Sequence, residues 1–454
     1  MGTDPHYPET ITPPDRPLGW IRGIPALADN PVQTWPRHLY EGRYTYVKFR
    51  GKAVMNLVDP ALIGIILKDQ ADKVIKHDLQ RRTLEPALGE GLIMADGPKW
   101  RAQRRAASPA FRHQALESLV PAMAQSARDV SGRLLAGPAN RAQDVMPEMM
   151  HATFDIIVAA LFEDGGEFDA QGVLDDITLY LATQGHVGVL DIFDAPLWTS
   201  RLANRKGIAA AKRMRAAVRE NVRRQAAREE PSDTLSGQLL RATDPKTGER
   251  LTETELVDNL LTFVAAGHET TALALTWTLG IIARLPELQD QLAGEARSVC
   301  GEADVSADDI DRLALHNRVL QESMRLFPPA PVAARMVTEP FEVADKHLVP
   351  GDMVNALIYP LHRHVKWWDD PNRFDPDRFL PENAEARDRY AYIPFGGGPH
   401  ICIGMRFAMM EAAVILARLV RDCRFAPQPD HRFHPVLRIT LRPKGGMPLF
   451  VSPR

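Results

Sequence analysis

Leu260 to Ala283 reads LLTFVAAGHETTALALTWTLGIIA, a long apolar run with His268 and Glu269 near its middle. As a helix rising 1.5 Å per residue it is long enough to cross a bilayer. Ionisable groups at that depth cost on the order of 3 kcal/mol each, and no other segment offers a partner span. The run therefore reads as a helix that is apolar all round because protein surrounds it. Thr252-Glu253-Thr254-Glu255 supplies a capping box at its start, and Pro286 marks its end. The expected length is about 32 residues, or about 48 Å. Such a helix needs a large body around it. The 454 residues, 45% hydrophobic and 25% charged, can build one.

Length alone suggests about three domains at roughly 150 residues each, but no linker divides the chain. One domain over residues 1–454 is the expectation. Residues 1–40 are proline-rich and read as irregular. Arg43–Val58 alternates about Arg50-Gly51 and predicts a β-hairpin; Asp59-Pro60 then opens a short helix. Residues 99–326 form a helix-rich core, including Ile208–Glu230 and a helix over Ile310–Leu326 that Phe327-Pro328-Pro329 stops. Residues 327–454 hold the strands: Phe341–Tyr359, and a hairpin in VLRITLRPKGGMPLFV. A last apolar helix is expected from about Ile403 to Leu419. The fold class is mainly α with a minor β region (α+β).

The net charge of −3 offers no general attraction for nucleic acid or an anionic membrane. Three cysteines, Cys300, Cys402 and Cys423, suit a reducing compartment better than a disulfide framework. The N-terminus lacks the apolar stretch of a signal peptide, and His6 breaks the myristoylation pattern. A cytoplasmic protein without a membrane anchor, and a monomer, is expected.

One cysteine has a prepared setting, PFGGGPHICIGMRFA, from Pro394 to Ala408. The glycines match neither phosphate-binding pattern. His400 and Cys402 fall short of the four ligands of structural zinc. A nucleophile paired with His400, or an inert buried thiol, stays open. The backbone favours a metal thiolate: glycines permit a sharp turn and close approach to a flat partner, and the helix start after Cys402 stabilises the thiolate. One thiolate without other protein ligands suits haem iron, whose macrocycle fills the remaining positions.

FGGGPHICIG resembles the haem-binding loop of the cytochrome P-450 family, F-x-x-G-x-[RH]-x-C-x-G. Ala266-Gly267-His268-Glu269-Thr270-Thr271 is similar to that family's [AG]-G-x-[DE]-T-[TS] in its long central helix. Glu322-Ser323-Met324-Arg325, followed by LFPPAPVAAR, resembles its E-x-x-R helix and next strand. Arg378 in FDPDRF resembles the third member of that set, and Trp100 with Arg104 matches W-x-x-x-R. The blocks run in family order over about two-thirds of the chain.

The resemblance implies a single-domain cytochrome P-450 fold of the soluble bacterial type, with the long helix over haem b (iron protoporphyrin IX). It implies that Cys402 is the axial iron ligand and that its electron donation favours O–O cleavage. Gly267 leaves room for the cofactor. Thr270 donates to dioxygen or holds a water, and Glu269 is a proton source. Trp100, Arg104, Arg335 and His400 would meet the propionates, and Phe395 and Gly396 would shape the loop against the cofactor. Glu322, Arg325 and Arg378 would clamp the irregular 367–400 segment. Phe263, Ala266, Val332 and Ala333, with walls near 80–95 and 175–200, would line a substrate pocket.

The implied activity is a haem-thiolate monooxygenase. A small apolar substrate, O2, two electrons and two protons give a hydroxylated product and water. Electrons would come from a ferredoxin or flavodoxin with its reductase, docking on the basic stretch Lys99–Arg112. The rivals are a peroxygenase using H2O2 and a non-catalytic haem-thiolate sensor.

Overall fold

The computed structural model describes residues 4–49, 51–138, 140–162, 168–184, 205–229, 232 and 234–454. The chain forms two compact units. The first comprises residues 1–74, 120–153 and 270–454, the second 75–119 and 154–269. These differ from the sequence blocks 99–326 and 327–454. The long helix accounts for part of the difference: it spans Glu253–Ile282, and the boundary between the units falls inside it.

The start of that helix follows the sequence reading. Thr252 N–H donates to the Glu255 carboxylate at 2.9 Å, and Glu255 N–H donates back to Thr252 Oγ1 at 3.3 Å. This reciprocal pair satisfies two amides that a helix start leaves orphaned. Buried Thr276 and Thr278 donate to the carbonyls of Ala272 and Ala274, so their hydroxyls need no outside partner. Among the described residues no helix is long and apolar enough to cross a membrane.

In the first unit, the hairpin pairs Tyr44–Phe49 with Lys52–Leu57, and Gly51 takes the turn at φ +82°. Lys52–Leu57 runs parallel to Met353–Leu357, which pairs antiparallel with Val332–Val337, setting Arg335 opposite Val354 and Ala333 opposite Ala356. Met55, Leu57, Ile63, Ile66, Val354 and Leu361 form the apolar core against this sheet. Trp277 of the long helix stacks on Phe327 at 4.1 Å between centroids, and its Nε1–H donates to the Leu441 carbonyl at 3.0 Å. That contact ties the end of the long helix to the end of helix Ala314–Leu326 and to strand Leu441–Pro443.

Three expectations need correction. Residues 1–40 are not irregular throughout: Trp20–Asp29 is helical. Pro25 lies inside this helix, yet it removes one amide only, from the bond to Ile21, and Ile21 is exposed. The helix expected over Ile310–Leu326 divides into a 3-10 turn, Ala307–Arg312, and an α-helix, Ala314–Leu326. The carboxylate of Glu295 holds the Leu315 and His316 amides at that new start. The C-terminal segment is not one hairpin. Pro435–Leu437 pairs with Leu441–Pro443, while Pro448–Pro453 pairs with Cys423–Pro427. Gly445 and Gly446, both at positive φ, turn the chain away between the two pairings.

In the second unit, helix Gly97–Ala107 carries Trp100, and helix Arg205–Ala226 packs on helix Ala170–Gln184. Of the expected pocket walls, the part of 175–200 beyond residue 184 lies outside the described residues.

Candidate haem-thiolate site

The loop before Cys402 is built around close backbone contact. Gly396 and Gly398 adopt φ +73° and +65°, the region that favours glycine. A Cβ on Gly398 would lie 1.8 Å from the Leu67 carbonyl oxygen, and one on Gly397 would lie 2.9 Å from the Tyr390 ring. On Gly396 it would meet nothing within 4 Å. The loop is thus pressed on one side and open on the other. Cys402 N–H donates to the Phe395 carbonyl at 3.0 Å, closing the turn. Helix Met405–Asp422 begins three residues later, and Cys402 itself is exposed. Its thiol sits ahead of the positive end of an 18-residue helix. Phe395, Gly396 and His400 are half-buried.

Behind the loop, Arg325 grips Glu322 through Nε at 2.6 Å and Nη2 at 2.7 Å, with both side chains fully buried. Its remaining donors reach the carbonyls of His362, Pro371 and Arg373 at 2.7–2.9 Å. Asp375 N–H donates to the same Glu322 carboxylate at 2.9 Å. One ion pair therefore fastens three turns of otherwise irregular chain. Arg378 is looser: its Nε stands 3.5 Å from Glu322, and its Nη2 donates to the Asp370 carbonyl.

Two residues of this region escaped the sequence reading. His362 Nε2 accepts from Ile393 N–H at 3.0 Å, so its carbonyl and its ring connect Arg325 to the entry of the cysteine loop. Burial holds its pKa well below the ordinary 6.5, with Arg325 and Arg363 adding to the effect. Glu411 lies fully buried on the helix after Cys402, and neither carboxyl oxygen finds a hydrogen-bond partner among the described residues. Burial pushes its pKa well above the ordinary 4.5. The LHRHVKWWDDP stretch and the acid in a buried apolar helix were the available signals.

The long helix is buried along most of its length, from Leu256 to Ala283, except at Ala265, Ala266, Gly267 and Thr270, which are half-buried. Positions 266, 267 and 270 share one helix face, so that face is partly open at mid-helix. Glu269 is buried. Gly267 approaches Ile157, where a Cβ would come within 3.1 Å of the side chain. Phe263 packs edge-on against Phe111 at 5.1 Å. Trp100 is buried with the Lys76 ammonium 5.9 Å from its ring centroid, and Arg104 is half-buried. In the first unit, Val332, Ala333 and Arg335 are half-buried on one strand; Ala333 also packs on the sheet core, and Arg335 Nη1 donates to the Ala334 carbonyl.

The first unit thus brings together the loop residues and the Glu322–Arg325–Arg378 set, and also holds Thr270, Val332, Ala333 and Arg335. The second holds Trp100, Arg104, Phe263, Ala266, Gly267 and Glu269. Within the basic stretch, Lys99 pairs with Glu90, and Arg105 with Asp244 at 2.5–2.7 Å. Those two charges are answered internally.

These residues fit haem. Among the described residues no cluster of three His, Cys, Asp or Glu is placed to hold a metal by itself. An exposed thiol on a pressed, glycine-built turn instead offers one soft ligand beside open space.

The sequence model of the cytochrome P450 family matches residues 14–450. Cyclooctatin synthase of Streptomyces melanosporofaciens is 30% identical over 97% of this chain and 92% of its own length. Cytokinin hydroxylase of Arabidopsis thaliana is 32% identical over 87% and 78%. The crystal structure of the cytochrome P450DA heme domain superposes with a TM-score of 0.84 at 25% identity, covering 98% of each chain. Haem cofactor, use of O2, a redox partner and an organic substrate come with such a family, and its hydroxylases are oxidoreductases. The chain belongs to the cytochrome P450 family.

Proposed function

We propose that this protein is a haem-thiolate monooxygenase that hydroxylates a medium-to-large, lipid-like substrate. The reaction balances as substrate C–H plus O2, two electrons and two protons giving substrate C–OH plus water. The observation that carries the reading is Cys402, exposed on a turn that backbone contact with Leu67 fixes, at the head of a buried helix. Haem b, held through Cys402, would supply the oxygen-activating chemistry.

The remaining steps belong to the chain. The Met405–Asp422 helix start favours the thiolate over the thiol. The Glu322–Arg325 pair keeps the preceding segment in place, so the sulfur does not wander. Trp100, Arg104, Arg335 and His400 hold the propionates, with arginine as the bidentate partner. Phe395 and Gly396 shape the loop, and Gly267, which lets the long helix pass close to Ile157, borders the cofactor. Glu269 holds a proton, and the Thr270 hydroxyl passes it on or positions a water. Phe263, Ala266, Val332 and Ala333 take the apolar substrate. Their half-buried or buried apolar side chains support this.

A ferredoxin or flavodoxin with its reductase delivers the electrons. The docking face draws on the basic stretch Lys99–Arg112, in which Lys99 and Arg105 also pair with Glu90 and Asp244. The protein acts as a cytoplasmic monomer, where its three thiols stay reduced.

The test is turnover of an apolar compound library with a surrogate ferredoxin, its reductase and NAD(P)H. Substrate-dependent NAD(P)H use with product formation supports the reading. Turnover with H2O2 alone would make the protein a peroxygenase. Haem binding without substrate-dependent electron uptake would make it a sensor.

A further inference from the structure

In the first unit, Arg363 follows the short helix Ile358–Leu361 and is only 3% exposed. None of its three guanidinium nitrogens finds a hydrogen-bond partner among the described residues. Glu322 is the carboxylate that acts on it electrically, but Glu322 is already engaged. Arg325 holds both of its oxygens, Asp375 N–H donates to one of them, and Arg378 stands 3.5 Å away.

The contacts that Arg363 does make are aromatic. Its guanidinium carbon lies 3.9 Å from the ring centroid of Tyr359 and 5.3 Å from that of Phe327, and both rings are fully buried. Stacking of this kind engages the flat face of a guanidinium. The five N–H groups lie in its plane and are left without acceptors. The Tyr359 hydroxyl, with the Ile11 backbone nearby, is likewise buried without a partner in hydrogen-bond geometry. Two adjacent groups that can donate thus lack an acceptor.

The positive charge is not cancelled from within. Arg325 carries a second one and opposes Arg363. Burial lowers the pKa of Arg363 from its ordinary 12.5, but a guanidinium keeps its proton inside proteins. Tyr40 and Tyr359 supply no phenolate, because burial raises both above the ordinary 10. His362 beside them is held neutral, its pKa well below 6.5. A buried ion without a counter-ion is destabilising, and so are buried donors without acceptors. A water molecule answers the second deficit alone. An anion answers both.

We propose that the Arg363 guanidinium and the Tyr359 hydroxyl form an internal binding site for a small monovalent anion of the size of chloride. The size follows from the donors: one planar fork and one hydroxyl can surround a monatomic ion. Sulfate or phosphate would bring several oxygens, each needing donors beyond these.

The test unfolds the haem-loaded full chain in urea, with sodium chloride replacing sodium gluconate at constant ionic strength. An anion bound by the folded state and released on unfolding stabilises the fold as its concentration rises. The parent's midpoint should climb with each tenfold step in chloride, and bromide should act in the same way. Arg363→Met, similar in length but uncharged, should lose most of that climb. Equal chloride dependence in parent and variant would overturn the site. A second measurement needs no variant and so holds even if the methionine chain folds poorly. Crystals of the parent grown in sodium bromide should show an anomalous-scattering peak between the Arg363 guanidinium and the Tyr359 hydroxyl. Ordered water there without a bromide peak would overturn the proposal.

Discussion

The guanidinium of Arg325 holds both carboxylate oxygens of Glu322, at 2.6 and 2.7 Å, with neither side chain reaching solvent. The pair is not itself good evidence of stability, since desolvation offsets much of the Coulomb gain. Its value lies in what it holds: the carbonyls of residues 362, 371 and 373 and the amide of 375. Arg325→Lys keeps the charge but cannot fill this fork. Breaking a buried pair costs about 3–5 kcal/mol. The variant should lose most of its bound haem on purification and unfold at lower denaturant. A parent-like haem content and midpoint would contradict the clamp.

Gly398 packs its α-carbon where a methyl group would lie 1.8 Å from the Leu67 carbonyl, at φ +65°. Leu67 is backbone there and cannot step aside cheaply. Gly398→Ala should weaken haem retention, while Gly132→Ala, on an exposed helical position with open space, should not. Equal haem loss rates for the two would refute the close-approach argument.

Thr270 stands half-buried one residue after buried Glu269. General acid–base groups contribute about 10²–10⁴-fold. Thr270→Ala should therefore cut product per NAD(P)H several-fold or more, with the electrons appearing as hydrogen peroxide. Unchanged coupling would remove Thr270 from proton delivery.

Glu411 carries a pKa that burial raises well above 4.5. Below 4.5 the acid is neutral in both folded and unfolded chains. Above it the unfolded chain releases the proton and the folded chain keeps it, so stability falls as pH rises toward the raised pKa. Glu411→Gln removes that slope. Denaturation at pH 5 and pH 8 should show the variant gaining on the parent at the higher pH. A pH-independent difference would mean that Glu411 ionises normally.

Much of this site was legible in the chain. The capping box at Thr252 and Glu255, the burial of the run that follows, and the glycine turn before Cys402 depend on local rules, and the structure keeps each of them. The E-x-x-R spacing was local too; the identical spacing at Glu220 and Arg223 is exposed, and Arg223 pairs with Glu253 instead. What separated them was burial, which spacing cannot express. The parts that stayed hidden are long-range. Pro448–Pro453 chose Cys423–Pro427 over its sequence neighbour, and the link from His362 to Ile393 joins residues 31 positions apart. Helix Trp20–Asp29 was hidden differently, inside a stretch whose many prolines made it read as irregular.

The central claim is that Cys402 ligates haem iron as a thiolate. The most direct measurement is the absorption spectrum of the reduced protein under carbon monoxide. A Soret band strongly red-shifted from that of a histidine-ligated haem, and lost in Cys402→His, is the predicted result. A histidine-type band in the parent protein would contradict it.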